Sequence, residues 1–137
     1  MKTEEGPSGG ARKVILVVDD EVDFRATLEW TLNRKNFEVL VAGNTAHAQE
    51  LFSVRHIDAI VTDINMPDMS GLEFLRWVKL QPKVVPVILM SGLLDRGDLK
   101  AAHELGAAGV LAKPFHREEL LEALSHCLKR TPAAVSG

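Results

Sequence analysis

Short runs of valine, isoleucine and leucine alternate along the chain with longer segments in which apolar residues recur every three or four positions. The runs predict five strands, at residues 13–18, 37–42, 58–62, 85–90 and 109–112. The segments between and after them predict five helices. Because the strands are apolar throughout rather than in alternation, they are typical of a parallel sheet covered by helices on both faces. The pattern therefore predicts a doubly wound α/β fold.

The predicted helices carry apolar faces and recognisable end signals. Two stripes with four-residue spacing should face the sheet: Phe24, Leu28 and Leu32 in the first helix, and Leu120, Leu124 and Leu128 in the last. Ser70 with Glu73 forms a capping-box pattern that opens the third helix. Gly106, after "AAHEL", suits the residue that ends the fourth.

Length and composition indicate one globular domain. A chain of 137 residues, of which 46% are apolar, is long enough to bury roughly 68% of its unfolded surface. Residues 1–12 are polar and rich in glycine, which predicts a disordered segment, and residues 131–137 are expected to be a C-terminal tail or linker stub. We therefore expect the folded domain to span residues 13–130.

Charge and hydropathy exclude several classes of function. A net charge of −3 argues against the basic surface that direct nucleic-acid binding requires. The apolar runs are far shorter than the roughly 20 residues that span a bilayer, and residues 1–12 have no apolar core of the kind that a signal peptide needs. We therefore expect no membrane partner and a cytoplasmic location. Cys127 is expected to be a small buried hydrophobic residue, and the histidines lack the i, i+4 pairing of a metal site.

Polar residues collect at the carboxyl ends of the predicted strands. In a doubly wound sheet of order 2-1-3-4-5, ligands bind outside these ends, and strands 1 and 3 flank the point where the order reverses. The residues there are Asp19 and Asp20 after strand 1, Asp63 after strand 3, Ser91 after strand 4, and Lys113 with Pro114 after strand 5. Neighbouring carboxylates repel one another unless a cation lies among them, and an all-oxygen cluster suits Mg²⁺. The sequence therefore predicts a Mg²⁺ site at this edge.

Four motifs stand in order at these strand ends: "VVDDE" at 17–21, "VTDINMPDMSGLE" at 61–73, "LMSG" at 89–92 and "LAKPF" at 111–115. Together they resemble the receiver domains of two-component response regulators, of the chemotaxis-regulator-like kind, over roughly residues 13–129. The resemblance implies the flavodoxin-like receiver fold, with strand order 2-1-3-4-5.

The resemblance also implies a role for each acidic residue of the site. Asp63 is then the phosphoryl acceptor. Asp20 and Asp63 are expected to bind Mg²⁺ together with the backbone carbonyl of Asn65, and Asp19 is expected to hold a metal-bound water.

Further roles follow from the same resemblance. Ser91 and Lys113 are expected to contact the phosphoryl oxygens, and a cis peptide bond is expected before Pro114. Receiver domains usually have a tyrosine or phenylalanine switch residue three positions before the lysine, where this chain has Val110. A β-branched side chain has no ring to exchange between buried and exposed positions. We therefore expect the signal to leave the site mainly through Ser91 and the segment 91–98, and only weakly through Val110.

The function implied by the resemblance is a phosphorylation-dependent switch rather than a turnover enzyme. A sensor histidine kinase or a histidine phosphotransfer protein would donate the phosphoryl group, and the domain would catalyse only its own phosphorylation and dephosphorylation. The changed surface would act on an unknown downstream partner or on an output domain absent from this chain. Trp30 and Trp77 are expected at the surface, either in simple packing or as contacts for a partner.

Other interpretations of the same residues stay open. Asp63 could cap the turn-rich segment that follows it, and Asp19 and Asp20 could be solvated turn residues. An aspartyl-nucleophile phosphatase would need a second acid two residues after its nucleophile, where this chain has Asn65. A flavin-binding electron carrier of similar topology would need aromatic residues around its isoalloxazine, and the chain has no tyrosine.

Overall fold

The computed structural model describes residues 12–93 and 95–129 of the chain. Its strands are β1 (Val14–Val18), β2 (Glu38–Ala42), β3 (Ala59–Asp63), β4 (Val87–Ser91) and β5 (Gly109–Ala112). They form one parallel sheet in the order β2-β1-β3-β4-β5. The helices are α1 (Val22–Arg34), α2 (Thr45–Val54), α3 (Gly71–Lys79), α4 (Arg96–Glu104) and α5 (Arg117–Lys129). The predicted fold class and strand order are confirmed.

The two terminal segments predicted from composition, 1–12 and 131–137, lie outside the described residues apart from Arg12. Within the described ranges, the regular elements run from the start of β1 to the end of α5. None of the helices in those ranges is long and apolar enough to cross a bilayer.

Alternate residues of the central strands face two separate hydrophobic layers. One layer joins β1, β3 and β4 to α1 and α5, and the other joins the same strands to α2, α3 and α4. Because both faces are covered, every residue of β1, β3 and β4 is buried, which explains their unbroken apolar runs. The predicted helix stripes pack as expected: Leu28, Leu32, Leu120 and Leu124 are buried, and Phe24 and Leu128 pack against the same layer. Cys127 is 7% exposed in this layer, as predicted.

The hydrogen-bonded pairing between neighbouring strands extends beyond two of the predicted strand ends. Asp63 pairs with Met90 and Ser91 pairs with Ala112, so these polar residues are the last residues of β3 and β4 rather than the first of a loop. At its other end, β4 begins two residues later than predicted, because Pro86 has no N–H to donate to a ladder. Asp63 and Ser91 therefore belong to strands of the sheet and not to the loops that follow them.

The predicted end signals of two helices are confirmed. The Ser70 hydroxyl accepts a hydrogen bond from the N–H of Glu73 at 3.1 Å at the start of α3. After α4, Gly106 adopts a φ of +82°, which disfavours any residue with a Cβ. The N–H of Ala107 then donates to the carbonyl of Ala102 at 3.0 Å, as in a Schellman motif.

Trp30 lies at the surface as expected, whereas Trp77 is less exposed than expected; a partner contact for either residue stays a prediction. Trp30 is 59% exposed, and the guanidinium of Arg34 lies 4.8 Å from its ring centroid. Trp77 is partly buried against the core, stacked on Phe74 and edge-on to Phe52 at centroid distances of 6.0 and 5.3 Å. Phe52 belongs to α2, so this contact depends on helix packing that residue spacing does not show.

Candidate functional site

Strand register brings the predicted site residues to one edge of the sheet. The last residue of β1 pairs with Thr62, which brings Asp19 beside Asp63. Ser91 pairs with the last residue of β5, so Lys113 follows at the same edge. The N–H of Lys113 donates to the carbonyl of Ser91 at 2.8 Å.

Three carboxylates converge at this edge. Asp19, Asp20 and Asp63 each offer an oxygen, and these oxygens lie within 4.8 Å of one another. Asp19 is fully buried and Asp63 is 7% exposed, whereas Asp20 is open to solvent. Converging carboxylate oxygens with one solvent-facing side fit Mg²⁺, which prefers oxygen ligands and keeps several waters. The donor set of this chain therefore fits the ion that the sequence predicts.

The ammonium of Lys113 lies between two of these carboxylates. Its Nζ is 2.7 Å from Oδ2 of Asp19, 2.7 Å from Oδ2 of Asp63 and 3.7 Å from Oε1 of Glu21. Charge-assisted hydrogen bonds of this length are stronger than neutral ones. They offset much of the cost of burying the charges, because a buried carboxylate without a partner is strongly unfavourable.

Burial and pairing act against each other on the ionisation of this pair. Burial raises the pKa of the Asp19 carboxyl, although hydrogen bonds from Lys113 and from the N–H of Glu21 oppose the change. Burial lowers the pKa of the Lys113 ammonium, but its hydrogen bonds to Asp19 and Asp63 outweigh that effect, so the pKa is raised. Lys113 therefore remains cationic at neutral pH.

Two of the carboxylates also fix the turns that follow them. Oδ1 of Asp19 accepts the N–H of Glu21, and Oδ1 of Asp63 accepts the N–H of Asn65, both at 2.9 Å. The turn-capping interpretation of Asp63 therefore describes a real contact. It does not compete with a chemical role, because a carboxylate oxygen has more than one lone pair. These bonds hold both carboxylates in fixed orientations.

The hydroxyl of Ser91 is the acceptor of two hydrogen bonds. Nδ2 of Asn65 donates to it at 3.1 Å and the N–H of Leu93 at 3.0 Å. Because the oxygen accepts both, its own proton can be donated to a group at the sheet edge. The side-chain contact of Asn65 is not visible in the sequence, and the use of its backbone carbonyl as a metal ligand stays a prediction.

Val110 is partly buried against the hydrophobic layer that contains α2, α3 and α4. Its role as a switch residue also stays a prediction.

Two backbone features shape the same edge. The N–H of Gly71 donates to the carbonyl of Ile64 at 2.7 Å. A Cβ at Gly71 would lie 2.3 Å from the carbonyl oxygen of Asp63, so only glycine fits against the strand that carries this aspartate. A glycine directly after the N-cap, where it disfavours a helix, is a sequence signal that could have singled it out. The peptide bond before Pro114 is cis, as the resemblance implies.

Two residues of α1 reach the site although the sequence does not single them out for it. Nη1 of Arg25 donates to the backbone carbonyl of Asp19 at 2.7 Å. The ring of Phe24, which the sequence indicates only as part of an apolar stripe, has its centroid 4.2 Å from Nζ of Lys113. Phe115 meets that ring edge-on at 5.9 Å. No spacing rule links α1 to the end of β5, so these contacts require the folded structure.

Comparison with known proteins matches the chain to one protein family. The family described as response regulator receiver domain matches residues 15–125. The chain is 33% identical over 120 residues to a probable transcriptional regulator, ycf27, of Cyanophora paradoxa, covering 88% of this chain and 50% of the relative. It is 28% identical over 117 residues to the cell cycle response regulator CtrA of Brucella ovis, covering 85% and 50%. The chain thus spans about half the length of the curated relatives it matches.

Solved structures agree with this match. The chemotaxis response regulator CheY4 of Vibrio cholerae superimposes with a TM-score of 0.78 at 30% identity, covering 85% of this chain and 98% of that one. A CheY-like receiver domain protein from Methanospirillum hungatei gives a TM-score of 0.82 at 26% identity, covering 87% and 95%. Because the family match extends from β1 into α5, the chain belongs to the response regulator receiver domains of two-component signalling.

Proposed function

We propose that this domain is a phosphorylation-dependent switch of a two-component phosphorelay and that Asp63 accepts the phosphoryl group. The observation that carries the proposal is a strand-end carboxylate that is 7% exposed, fixed by a backbone hydrogen bond and 2.7 Å from an ammonium. Phosphoryl transfer depends mainly on such positioning and on neutralising negative charge. The family match supports the same assignment.

In the proposed reaction, a carboxylate oxygen of Asp63 attacks the phosphorus of a phosphohistidine on a partner protein. A P–O bond forms to the aspartate and the P–N bond breaks, and the electron pair of the broken bond stays on the imidazole nitrogen. The product is an acyl phosphate. Lys113 then faces a phosphoryl oxygen, and Ser91 donates its hydroxyl proton to another.

The proposal includes Mg²⁺, with Asp20, Asp63 and the backbone carbonyl of Asn65 as ligands and with Asp19 orienting a bound water. The three carboxylate oxygens within 4.8 Å support a hard cation. Bound Mg²⁺ supplies positive charge against the transferring group. Asp20 and Asn65 are both exposed, whereas Asp63 is buried, so we expect the ion to enter from the solvent-facing side that Asp20 and Asn65 share.

The contacts of Ser91 support a way for the signal to leave. Its hydroxyl oxygen now accepts from the side chain of Asn65 and from the N–H of Leu93. Movement toward a phosphoryl oxygen would stretch both bonds, and so would change the segment after β3 and the segment 91–98, of which Leu94 lies outside the described residues. Val110 is expected to respond weakly, because a β-branched side chain has few rotamers.

Partners, location and extent belong to the same proposal. Receivers of response regulators are phosphorylated by histidine kinases, so a sensor histidine kinase or a histidine phosphotransfer protein is the proposed donor. Because the chain spans about half of its curated relatives, the signal would pass to a downstream partner or an output domain. We propose residues 13–130 as the receiver domain and the cytoplasm as its compartment.

The test is intact-mass measurement after incubation with acetyl phosphate and Mg²⁺. We expect one added phosphoryl group on the wild-type protein and none on Asp63→Asn, because the amide keeps the shape but loses the nucleophilic charge. Asp23→Asn is the matched control, since Asp23 is an exposed acid of α1, and it should be phosphorylated normally. Circular dichroism checks that each variant is folded. Undiminished phosphorylation of Asp63→Asn would overturn the assignment.

A further inference from the structure

An aromatic ring covers the ammonium of Lys113. Its Nζ lies 4.2 Å from the ring centroid of Phe24 while also lying 2.7 Å from Asp19 and from Asp63. Only 13% of the lysine side chain is exposed. The ammonium is therefore held by two carboxylates and the face of one ring, and solvent reaches little of it.

The ring is fixed by packing from two directions. On α1, Phe24 begins the stripe whose next members, Leu28 and Leu32, are buried against the sheet. From the segment between β5 and α5, Phe115 packs edge-on against it, with 87° between the ring planes. Turning the ring away from the ammonium would therefore break its edge contact with Phe115 and its packing against this layer.

The chemistry of the proposed reaction changes one partner of the ammonium and leaves the ring unchanged. When Asp63 becomes an acyl phosphate, its carboxylate no longer offers two free anionic oxygens to Lys113. The attraction between a cation and an aromatic face does not depend on that bond, and it is stronger where water is excluded. An aliphatic side chain of similar size would fill the space but would not attract the charge.

We propose that Phe24 is a positioning residue, whose ring face holds the Lys113 ammonium at the carboxylates throughout phosphoryl transfer. The proposal rests on the proposed function of Asp63 and Lys113. It predicts that the electron density of the ring, and not only its volume, affects the rate of phosphorylation. The reason is that an ammonium held in position before the reaction lowers the barrier to phosphoryl transfer more than one that must first move there.

Site-specific incorporation of mono-, di- and trifluorophenylalanine at position 24 tests this directly, since each fluorine withdraws density from the ring face with little change in size. The same analogues at Phe37 form the matched control, because Phe37 is a partly buried ring of the same layer. Among the described residues, cations lie over the rings of Trp30, Phe52 and Phe24 but not over that of Phe37; the Arg12 guanidinium contacts only the backbone carbonyl of Phe37. Two quantities are measured: the rate of phosphorylation by acetyl phosphate with Mg²⁺, and the NMR shift of the Lys113 ε-protons in metal-free protein.

We expect the rate to fall with each fluorine at position 24, by roughly two- to five-fold in total, and to show no such trend at position 37. In the wild-type protein the Lys113 ε-protons should be shifted upfield by the ring, and Phe24→Leu should remove this shift. A rate independent of fluorination, or unshifted ε-protons in the wild type, would overturn the proposal. If the wild type is not phosphorylated at all, the proposed function fails. The NMR shift in metal-free protein does not depend on phosphorylation, so it still tests the contact between Phe24 and Lys113 separately.

Discussion

The carboxylate of Asp68 ties the loop after β3 to the start of α2. Its Oδ1 accepts the N–H of Thr45 at 3.1 Å and its Oδ2 accepts the N–H of Ala46 at 3.0 Å. Its Oδ1 also accepts the N–H of Met69 at 3.0 Å. The first N–H groups of a helix have no partner within the helix, and a negative charge there is favourable. We therefore expect Asp68→Asn to destabilise the domain.

The structure sets the size of the effect. Desolvation by neighbouring atoms raises the pKa of Asp68, but the hydrogen bonds from Thr45 and Ala46 outweigh it and hold the pKa at about 2, below the usual 3.8. At about 1.4 kcal/mol for each pKa unit, this difference corresponds to roughly 2 kcal/mol. Because the side chain is solvent-exposed, screening reduces the realistic value to ~1 kcal/mol.

The pH dependence has a definite sign. The pKa of Asp68 is lower in the folded state, so its stabilisation is present above the unfolded value of 3.8 and is lost as the pH falls toward about 2. The free energy of unfolding of the wild type should therefore exceed that of Asp68→Asn by ~1 kcal/mol near neutral pH. The difference should shrink below about pH 4.

Urea denaturation followed by circular dichroism, at a series of pH values, measures this difference. Glu50→Gln is the matched control, because it removes one exposed negative charge from the middle of α2 rather than from its start. It should change the free energy of unfolding by less than about 0.5 kcal/mol. An Asp68→Asn protein as stable as the wild type near neutral pH, or a difference that persists undiminished at low pH, would show that the Asp68 carboxylate does not stabilise the start of α2.

Three further predictions concern the site. Gly71→Ala should lower the free energy of unfolding by ~1–3 kcal/mol or more, because the new Cβ would lie 2.3 Å from the Asp63 carbonyl oxygen and 2.8 Å from Cα of Ile64; wild-type stability in urea would contradict this. Leu93→Glu should shorten the lifetime of the phosphorylated protein by roughly three-fold or more. Leu93 is 80% exposed beside Ser91, and a carboxylate there can orient water. The lifetime is measured by loss of phosphoryl mass, and an unchanged or longer lifetime would count against this prediction. Beryllofluoride should shift the NMR signals of residues 91–98 strongly and those of Val110 weakly, and the opposite pattern would show that the proposed output route is wrong.

Much of the fold follows from local signals in the sequence. Runs such as "VILVV" predict buried parallel strands because every residue of β1 has to be apolar when both sheet faces are covered. The strand ends then identify the site, since parallel strands bring their carboxyl ends to one edge. The ends of β3 and β4 were harder to predict, because Asp63 and Ser91 continue the ladder while having polar side chains.

The contacts that the sequence does not predict join residues far apart in the chain. Trp77 contacts Phe52 of another helix edge-on, and Phe24 contacts Lys113 because folding brings α1 close to the residue that follows β5. Such contacts depend on how elements pack, and no period of 2.0 or 3.6 residues encodes them. The same holds for the hydrogen bond between Asn65 and Ser91.

Asp63 is the proposed acceptor of the phosphoryl group. The most direct measurement is to phosphorylate the protein with acetyl phosphate and Mg²⁺, reduce the acyl phosphate with borohydride and locate the resulting homoserine by peptide mass spectrometry. We expect homoserine at position 63, and none there when Mg²⁺ is chelated before phosphorylation. Homoserine at another aspartate, such as Asp19 or Asp20, with position 63 unmodified, would contradict it.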